Sequence, residues 1–214
     1  MRVVRAYASL RAAVCVEIEE RKSRFIALAA PVESAAAAEE QIARARATYP
    51  DATHHCFAYR AGLEGTVVRM SDAGEPQGTA GKPILDVIER SGLENTCIVV
   101  VRYFGGIKLG AGGLTRAYRA AAAAAVERAG IAEYVPHTLL AGVAPYDAWS
   151  RVAGRLEQLG VRGLAVEYGE AVRFTGLVRT ERFESVRRSL ADQTAGVVEV
   201  WAAGERFDRN EPPG

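Results

Sequence analysis

Hydrophobic and polar positions alternate in short blocks along the first half of the chain. Residues 14–32 predict a strand or a pair of strands forming a hairpin, and Ser34 predicts the cap of an alanine-rich helix that ends before Pro50. The segment THHCFAYR, residues 53–60, alternates as a half-buried strand does, and LEGTVVRM after it predicts its hairpin partner. This half of the chain therefore predicts interleaved strands and helices.

A polar loop, SDAGEPQGTAG, precedes a short helix that we expect from Pro83 to about Ser91. The nearly continuous apolar run TCIVVVRYF then predicts a strand buried on both faces. The stretch RYFGGIKLGAGGLTRAY, residues 102–118, follows directly. A long alanine-rich helix, LTRAYRAAAAAAVERAG, is expected after its glycines and to end at Gly130.

The pattern changes from Pro136 onward. There the order of predicted elements is strand, helix, strand, strand, helix, strand, which is the split ferredoxin-like arrangement. We therefore expect an α+β protein of two domains, with residues 1–133 in the first and 134–208 in the second. Residues 209–214, rich in polar residues and proline, predict a disordered tail.

Composition narrows the class of protein. The chain has 214 residues, of which 49% are hydrophobic, and no apolar run approaches the roughly 20 residues of a membrane helix. The beginning of the chain lacks a secretory apolar region, so we expect a cytoplasmic protein without membrane contact. The three cysteines have no C-x-x-C spacing, and each is expected to lie on a strand as a small hydrophobic residue. We expect no metal and no cofactor.

Charge is balanced overall but not locally. A net charge of +1 excludes a protein that binds polyanions over its whole surface. Only three of the 27 basic residues are lysine, and two of these, Lys82 and Lys108, lie in glycine-rich segments. No acidic residue occurs between Glu94 and Glu127. The basic residues of that interval are Arg102, Lys108, Arg116 and Arg119.

The glycine-rich stretch matches neither common phosphate-binding motif. A Walker loop needs a Gly-Lys-Ser/Thr end, and the third glycine of a dinucleotide fingerprint would fall at Thr115. The stretch has the same order of elements as those motifs, however. A strand, a glycine turn and a helix start leave backbone N–H groups free to bind an anion. The alternative is a tight strand-to-helix crossover with no ligand. The candidate phosphate contacts are Arg102, Tyr103, Gly105, Gly106, Lys108, Gly110, Gly112, Gly113, Arg116 and Arg119, with Lys82.

Other candidate chemistry is weaker. His54 and Cys56 point to one face of their strand and His55 to the other, but no second cluster completes a zinc site. Cys56 is interpreted as a packed strand residue in preference to a thiol nucleophile. Asp72 and Glu75 are the only weak catalytic candidates, as a general acid and base, and the capping of a turn is the favoured alternative.

Three segments together, THHCFAYR, SDAGEPQGTAGKPIL and VVVRYFGGIKLGAGGLTRAY, resemble the IMPACT/YigZ family in order and separation. The resemblance covers about residues 15 to 130, and the second half looks like the C-terminal domain of bacterial members. Members of the family usually carry S-D-D-G-E-P in the loop. Here Ala73 replaces the second aspartate, which argues against a carboxylate pair or a metal there.

The resemblance implies a first domain like the second domain of a small-subunit ribosomal protein and like domain four of elongation factor G. It implies a second domain like domain five of that factor. Eukaryotic relatives regulate translation by competing for an activator of a starvation-responsive kinase. The resemblance thus implies RNA or the ribosome as a partner, or a protein of the translation machinery.

Two hypotheses follow for the function. The first is a non-enzymatic protein that contacts RNA phosphates on or near the ribosome through residues 102–119. The second is an enzyme on a small phosphorylated substrate or nucleotide, with the glycine turn as a phosphate cradle and Asp72 or Glu75 as the base. We favour the first, because the sequence shows neither a metal set nor a nucleophile with its base.

Overall fold

The computed structural model describes residues 6–62 and 66–210, which form an α+β protein with two sheets in two compact units. One unit spans Tyr7–Glu133, and the other contains the described residues from Tyr134 onward, together with Ala6. No helix among the described residues is long and apolar enough to cross a membrane.

The first unit is built on an antiparallel sheet whose strand order is β2-β3-β6-β4-β5. Its elements, in chain order, are β1 (Tyr7–Leu10), β2 (Val14–Glu20), β3 (Ser23–Pro31), α1 (Ala35–Thr48), β4 (His54–Ala61), β5 (Val67–Ser71), α2 (Gly81–Arg90), β6 (Thr96–Tyr103) and α3 (Gly110–Ala129). The predicted hairpin partner of β4 is β5, although residues 63–65 of the predicted segment lie outside the described residues.

Helices cover both faces of this sheet, as the apolar run of β6 predicts. Cys56 and Val100 pair across β4 and β6 and pack towards α2 and α3. Their neighbours Phe57 and Val99 pair in the same strands and pack towards α1. Because successive residues of a strand point to opposite faces, β6 is buried on both sides and fixes the position of its last residues, Arg102 and Tyr103.

Two helix starts test the sequence predictions. Ser34 accepts a hydrogen bond from the Ala37 N–H at 3.2 Å, which confirms it as the cap of α1. Helix α3 begins at Gly110, four residues before the predicted start at Leu114. Glycine disfavours helix locally, but Leu114, Tyr118 and the alanine face of α3 are buried against the sheet, and this packing outweighs the propensity of the first turn.

The second unit has the predicted strand, helix, strand, strand, helix, strand order. Its elements are β7 (Ile131–Ala144), α4 (Tyr146–Gln158), β8 (Arg162–Tyr168), β9 (Val172–Arg179), α5 (Thr180–Thr194) and β10 (Glu199–Arg209). The antiparallel order β10-β7-β9-β8 places the first strand between the last and the third. Strand β10 extends to Arg209, and residues 211–214 of the predicted tail lie outside the described residues.

Candidate phosphate-binding site

The glycine turn, residues 104–109, joins the end of β6 to the start of α3 and lies against the β2–β3 connection. The Gly105 N–H donates to Ser23 Oγ at 3.2 Å. A Cβ atom on Gly105 would lie 2.0 Å from the carbonyl oxygen of Lys22, closer than any real contact. Gly105 therefore has the packing role that a tight crossover requires, whatever else the turn does.

The first turn of α3 offers backbone N–H groups without competition from side chains. Its cap residue, Leu109, makes no side-chain hydrogen bond to the helix, and the turn Gly110-Ala111-Gly112-Gly113 contains no acidic residue. The first four N–H groups of a helix have no partner within the helix, and the helix dipole places positive potential at this end. An anion is therefore favoured at this end of α3.

Two exposed cations flank this turn. Lys108 precedes it, and Arg116 lies one turn further, with Nη1 3.5 Å from where a Cβ atom of Gly112 would stand. Neither side chain forms an ion pair within the part of the chain that the structure describes. Arg116 also borders a surface cavity of about 220 Å³ with Arg21 and Glu20.

The other predicted cations are paired with carboxylates that lie outside the segment without acidic residues. Arg102 Nη1 lies 2.6 Å from Glu75 Oε1, and both side chains are buried. Arg119 lies 3.3 Å from Asp86, and Lys82 lies 2.9 Å from the same carboxylate. The basic interval is thus not a continuous surface of unpaired cations. Of its four basic residues, Lys108 and Arg116 are the two without an ion pair among the described residues.

The Tyr103 side chain also has partners within the protein. Its hydroxyl donates to Asp51 Oδ1 at 2.8 Å, and the guanidinium of Arg24 lies over its ring, 5.4 Å from the centroid. One face of the Tyr103 ring is therefore already covered and is closed to a stacking nucleobase.

A cleft of about 380 Å³ opens between the glycine turn, β4 and the loop before α2. The structure brings together here the three sequence segments that carry the family resemblance. The residues that line it include Thr53, His54, Glu75, Arg102, Phe104 and Lys108, with Gly110 and Ala111 from α3. We call this space the cleft.

A buried hydrogen-bond network forms beneath the cleft. Glu75 Oε1 accepts from Arg102 and from the Tyr118 hydroxyl, which lies 2.8 Å away, and the Cys56 thiol lies 3.3 Å from that hydroxyl. Burial raises the pKa of the Cys56 thiol to about 12, and burial also raises the pKa of Tyr118. Cys56 thus stays a thiol at neutral pH, which agrees with its interpretation as a packed residue.

His54 lies on the wall of the cleft. Its Nδ1 lies 2.9 Å from the Ala73 carbonyl oxygen, which can only accept, so Nδ1 carries the proton. In the neutral imidazole, Nε2 then carries the lone pair, and it faces Glu75 Oε2 at 3.8 Å. His55 lies on the opposite face of β4, with Nε2 2.9 Å from the Tyr49 carbonyl oxygen.

Asp72 holds the loop before α2 in shape. Its carboxylate accepts backbone N–H bonds from Gly78 at 2.8 Å and from Ala80 and Gly81 at 2.9 Å each. Burial alone would raise the pKa of Asp72, but these three bonds hold it below its usual range. Both carboxylates proposed as acid and base are therefore engaged within the protein, Asp72 as a cap and Glu75 in its ion pair.

Metal ligands do not converge in the described part of the chain, where no group of three or more His, Cys, Asp or Glu side chains could hold an ion. Sequence reasoning did not single out Phe104 and Thr53, which both line the cleft. Phe104 is 48% exposed at its rim, and Thr53 accepts a hydrogen bond from the Phe104 N–H at 3.2 Å. The segment RYFGG indicates an exposed Phe104, because the two glycines that follow it have no side chains to cover its ring.

Two family models match the chain. The Impact N-terminal domain matches residues 21–126, and a domain of unknown function, DUF1949, matches residues 143–197. The IMPACT family member YvyE of Bacillus subtilis is 32% identical over 198 residues, covering 92% of this chain and 91% of that protein. The IMPACT family member YigZ of Escherichia coli is 48% identical over 109 residues, covering 50% of this chain and 53% of that protein.

Solved structures give a similar result. A crystal structure described as that of a hypothetical protein is 32% identical, covers 93% of this chain and 98% of its own, and superposes with a TM-score of 0.63. The structure of the two-domain translational regulator Yih1 is 29% identical and covers 57% of this chain and 47% of its own. Its TM-score is 0.36, and at that score the likeness carries no argument about this chain.

Proposed function

The chain belongs to the IMPACT family, and from that premise we propose that it is a non-enzymatic RNA- or ribosome-binding protein linked to the regulation of translation. The observation that carries the proposal is the start of α3. There a first turn without acidic side chains is flanked by Lys108 and Arg116, neither of which is neutralised by a carboxylate within the described residues.

The proposed contact is a short stretch of phosphate backbone. The free N–H groups of a helix start and two cations together favour phosphate without reading its sequence. Arg102 and Arg119 then act indirectly, because their ion pairs join β6 to the loop before α2 and α3 to α2, whereas Lys82 pairs with Asp86 within α2. The remaining glycines of the stretch let a phosphate approach the backbone closely.

The link to translation rests on the family resemblance. That resemblance implies a first domain like those of a small-subunit ribosomal protein and of elongation factor G, and relatives that regulate translation. We therefore propose the ribosome, or a protein of the translation machinery, as the site of action. The second unit is proposed to position the first or to bind a protein partner.

The test is binding of a labelled structured RNA and of ribosomal subunits at low and moderate salt. We expect affinity to fall steeply with salt, and the double variant Lys108→Ala, Arg116→Ala to lower the slope of log affinity against log salt by about one for each phosphate that it no longer neutralises. The matched control is Lys82→Ala, Arg119→Ala, which removes the same charge from residues already paired with Asp86. Binding that ignores salt, or that falls equally in both variants, contradicts the proposal.

The alternative function is an enzyme acting on a small phosphorylated substrate or nucleotide. The cleft favours it, because a partly enclosed space of about 380 Å³ is the size of a small-molecule site. Since Asp72 and Glu75 are engaged, His54 is the side chain left to move a proton. Turnover of a phosphorylated substrate that His54→Asn abolishes while affinity is retained would favour this alternative.

A further inference from the structure

When His54 is neutral, two hydrogen-bond acceptors lie side by side at the cleft with no donor between them. Glu75 Oε1 takes both bonds to that carboxylate, from Arg102 and Tyr118, while Oε2 faces His54 Nε2 at 3.8 Å. Because Nδ1 of His54 donates to Ala73, Nε2 of the neutral ring is an acceptor as well. The Glu75 side chain is only 3% exposed, and buried acceptors are normally satisfied.

A buried donor on a residue that lines the cleft also lacks a partner among the described residues. Arg102 lines the cleft with a side chain that is 6% exposed, and its Nε has no hydrogen-bond partner among the described residues. The cleft thus has two adjacent acceptors, and one of its lining residues carries a buried donor without a partner. A ligand with two neighbouring hydroxyl groups complements this arrangement, because each hydroxyl can donate to one acceptor and accept from a donor.

The opposite end of the cleft suits an anion and an aromatic ring. Lys108, Gly110 and Ala111 contribute the cation and the start of α3, which favour a phosphate. Phe104 is 48% exposed at the rim, and the guanidinium of Arg102 lies over its ring, 5.6 Å from the centroid. A nucleobase can stack on the opposite face of such a ring.

We propose that the cleft binds a ribonucleoside 5′-phosphate unit, with its 2′- and 3′-hydroxyls on His54 and Glu75, its phosphate at Lys108 and the start of α3, and its base on Phe104. Only the phosphate end of this ligand rests on the proposed function. The unit has two possible sources, a free ribonucleotide or the 3′-terminal nucleotide of an RNA strand, and both present a free vicinal diol beside a 5′-phosphate. A carboxylate that receives the ribose hydroxyls is also how proteins recognise nicotinamide dinucleotides.

The first experiment is calorimetric titration of the full chain with AMP, GMP, CMP and UMP, beside 2′,3′-dideoxyadenosine monophosphate and adenosine. We expect AMP to bind at least about tenfold more tightly than the dideoxy analogue, because Glu75 Oε2 and His54 Nε2 receive no donors from the ligand in that complex. Adenosine, which lacks the phosphate, is expected to lose a similar factor. Equal affinity for AMP and its dideoxy analogue overturns the proposal, as does the absence of saturation by every one of the four nucleotides and by RNA ends.

Variants assign the contacts. His54→Asn keeps a donor to the Ala73 carbonyl and removes Nε2, so it is expected to abolish the preference for ribose over dideoxyribose. Phe104→Ala is expected to weaken all four nucleotides by about tenfold, the loss of one stacking ring. Arg44→Ala is the control that is expected to leave the ribose preference unchanged, because Arg44 is exposed on α1 in its pair with Glu40 and does not line the cleft. A ribose preference that survives His54→Asn overturns the assignment of the diol.

A second arm separates the sources of the ligand and the two proposals. Short RNA with an intact 3′ diol is compared with the same RNA carrying a 3′-phosphate. A loss on 3′-phosphorylation identifies RNA ends as the source, and saturation by AMP alone identifies free nucleotides. Salt-dependent RNA binding with no dependence on the diol in either ligand overturns the cleft proposal and supports the proposed function. Ribose selection without RNA binding supports the cleft proposal and overturns the proposed function.

Discussion

Arg102 Nη1 and Glu75 Oε1 lie 2.6 Å apart in a nearly dry environment, where the two side chains are 6% and 3% exposed. The pair joins the last buried residues of β6 to the loop before α2, and Tyr118 adds a bond from α3. Three elements that are distant in sequence are thus held around the cleft by one carboxylate.

Glu75→Gln is expected to destabilise the first unit strongly, because it leaves the buried Arg102 charge without a counter-ion. Removing one partner of a buried pair typically costs about 3–5 kcal/mol in the free energy of unfolding. Urea denaturation followed by circular dichroism measures the loss. The control is Glu17→Gln, whose pair with Arg24 is exposed, and a loss of equal size in both variants would contradict the role of burial.

Gly105→Ala is expected to destabilise the protein, since its Cβ atom would lie 2.0 Å from the Lys22 carbonyl oxygen. The turn must open to accept it, and we expect a cost of at least about 1–3 kcal/mol, the range for overpacking. Gly112→Ala is the matched control with the opposite sign, because its nearest neighbour would be Arg116 Nη1 at 3.5 Å and alanine favours a helix. Thermal melting of both variants checks the prediction, which is wrong if their melting temperatures shift alike.

Cys15 is expected to be the one thiol that reacts in the native protein. Burial raises the pKa of Cys56 and of Cys97 to about 12, and both side chains are buried, whereas Cys15 is exposed. Iodoacetamide at pH 8, followed by mass spectrometry of peptides, should label Cys15 alone in native protein and all three cysteines in urea. Native labelling of Cys56 would show that the network below the cleft opens readily.

His137 in β7 predicts a pH dependence for the second unit. Burial lowers the pKa of this histidine, whose Nδ1 donates to the Val135 carbonyl at 3.0 Å and whose Nε2 accepts from Arg162 at 2.7 Å. The unfolded chain takes up a proton first, near its pKa of about 6.5, so stability present above that pH is lost as pH falls towards the lower pKa of the folded state.

The measurement is urea denaturation of wild type and His137→Asn between pH 7.5 and pH 5. The asparagine keeps a donor for Val135 and does not titrate, so its stability should decline less over this range. Parallel pH profiles would mean that other groups cause the decline.

Local patterns predicted most of the fold, because strand alternation and helix caps are short-range signals. Ser34 and the strand–helix order of the second half needed no tertiary information. The start of α3 did, since propensity places it at Leu114 while packing of Tyr118 and the alanine face extends it to Gly110.

The site was less predictable for a physical reason. A count of charges along the chain showed Arg102 and Arg119 without acidic neighbours, yet Glu75 and Asp86 reach them from other elements. Folding brings together ionic partners that are distant in sequence. A count of charges over a short segment therefore does not include a partner 27 residues away. The glycine stretch was located correctly as a turn, but the acceptor pair of His54 and Glu75 depends on one imidazole orientation that no pattern encodes.

The three backbone bonds to the Asp72 carboxylate have a kinetic consequence. They fix the loop before α2 during folding. The cost of ordering this loop, about 1–2 kcal/mol of conformational entropy for each residue, is therefore part of folding and not of ligand binding. Association at this wall then requires no loop closure and should follow a single exponential whose rate rises linearly with ligand concentration. A ligand at this wall would meet a preformed surface, and selectivity would then depend on how slowly that ligand dissociates.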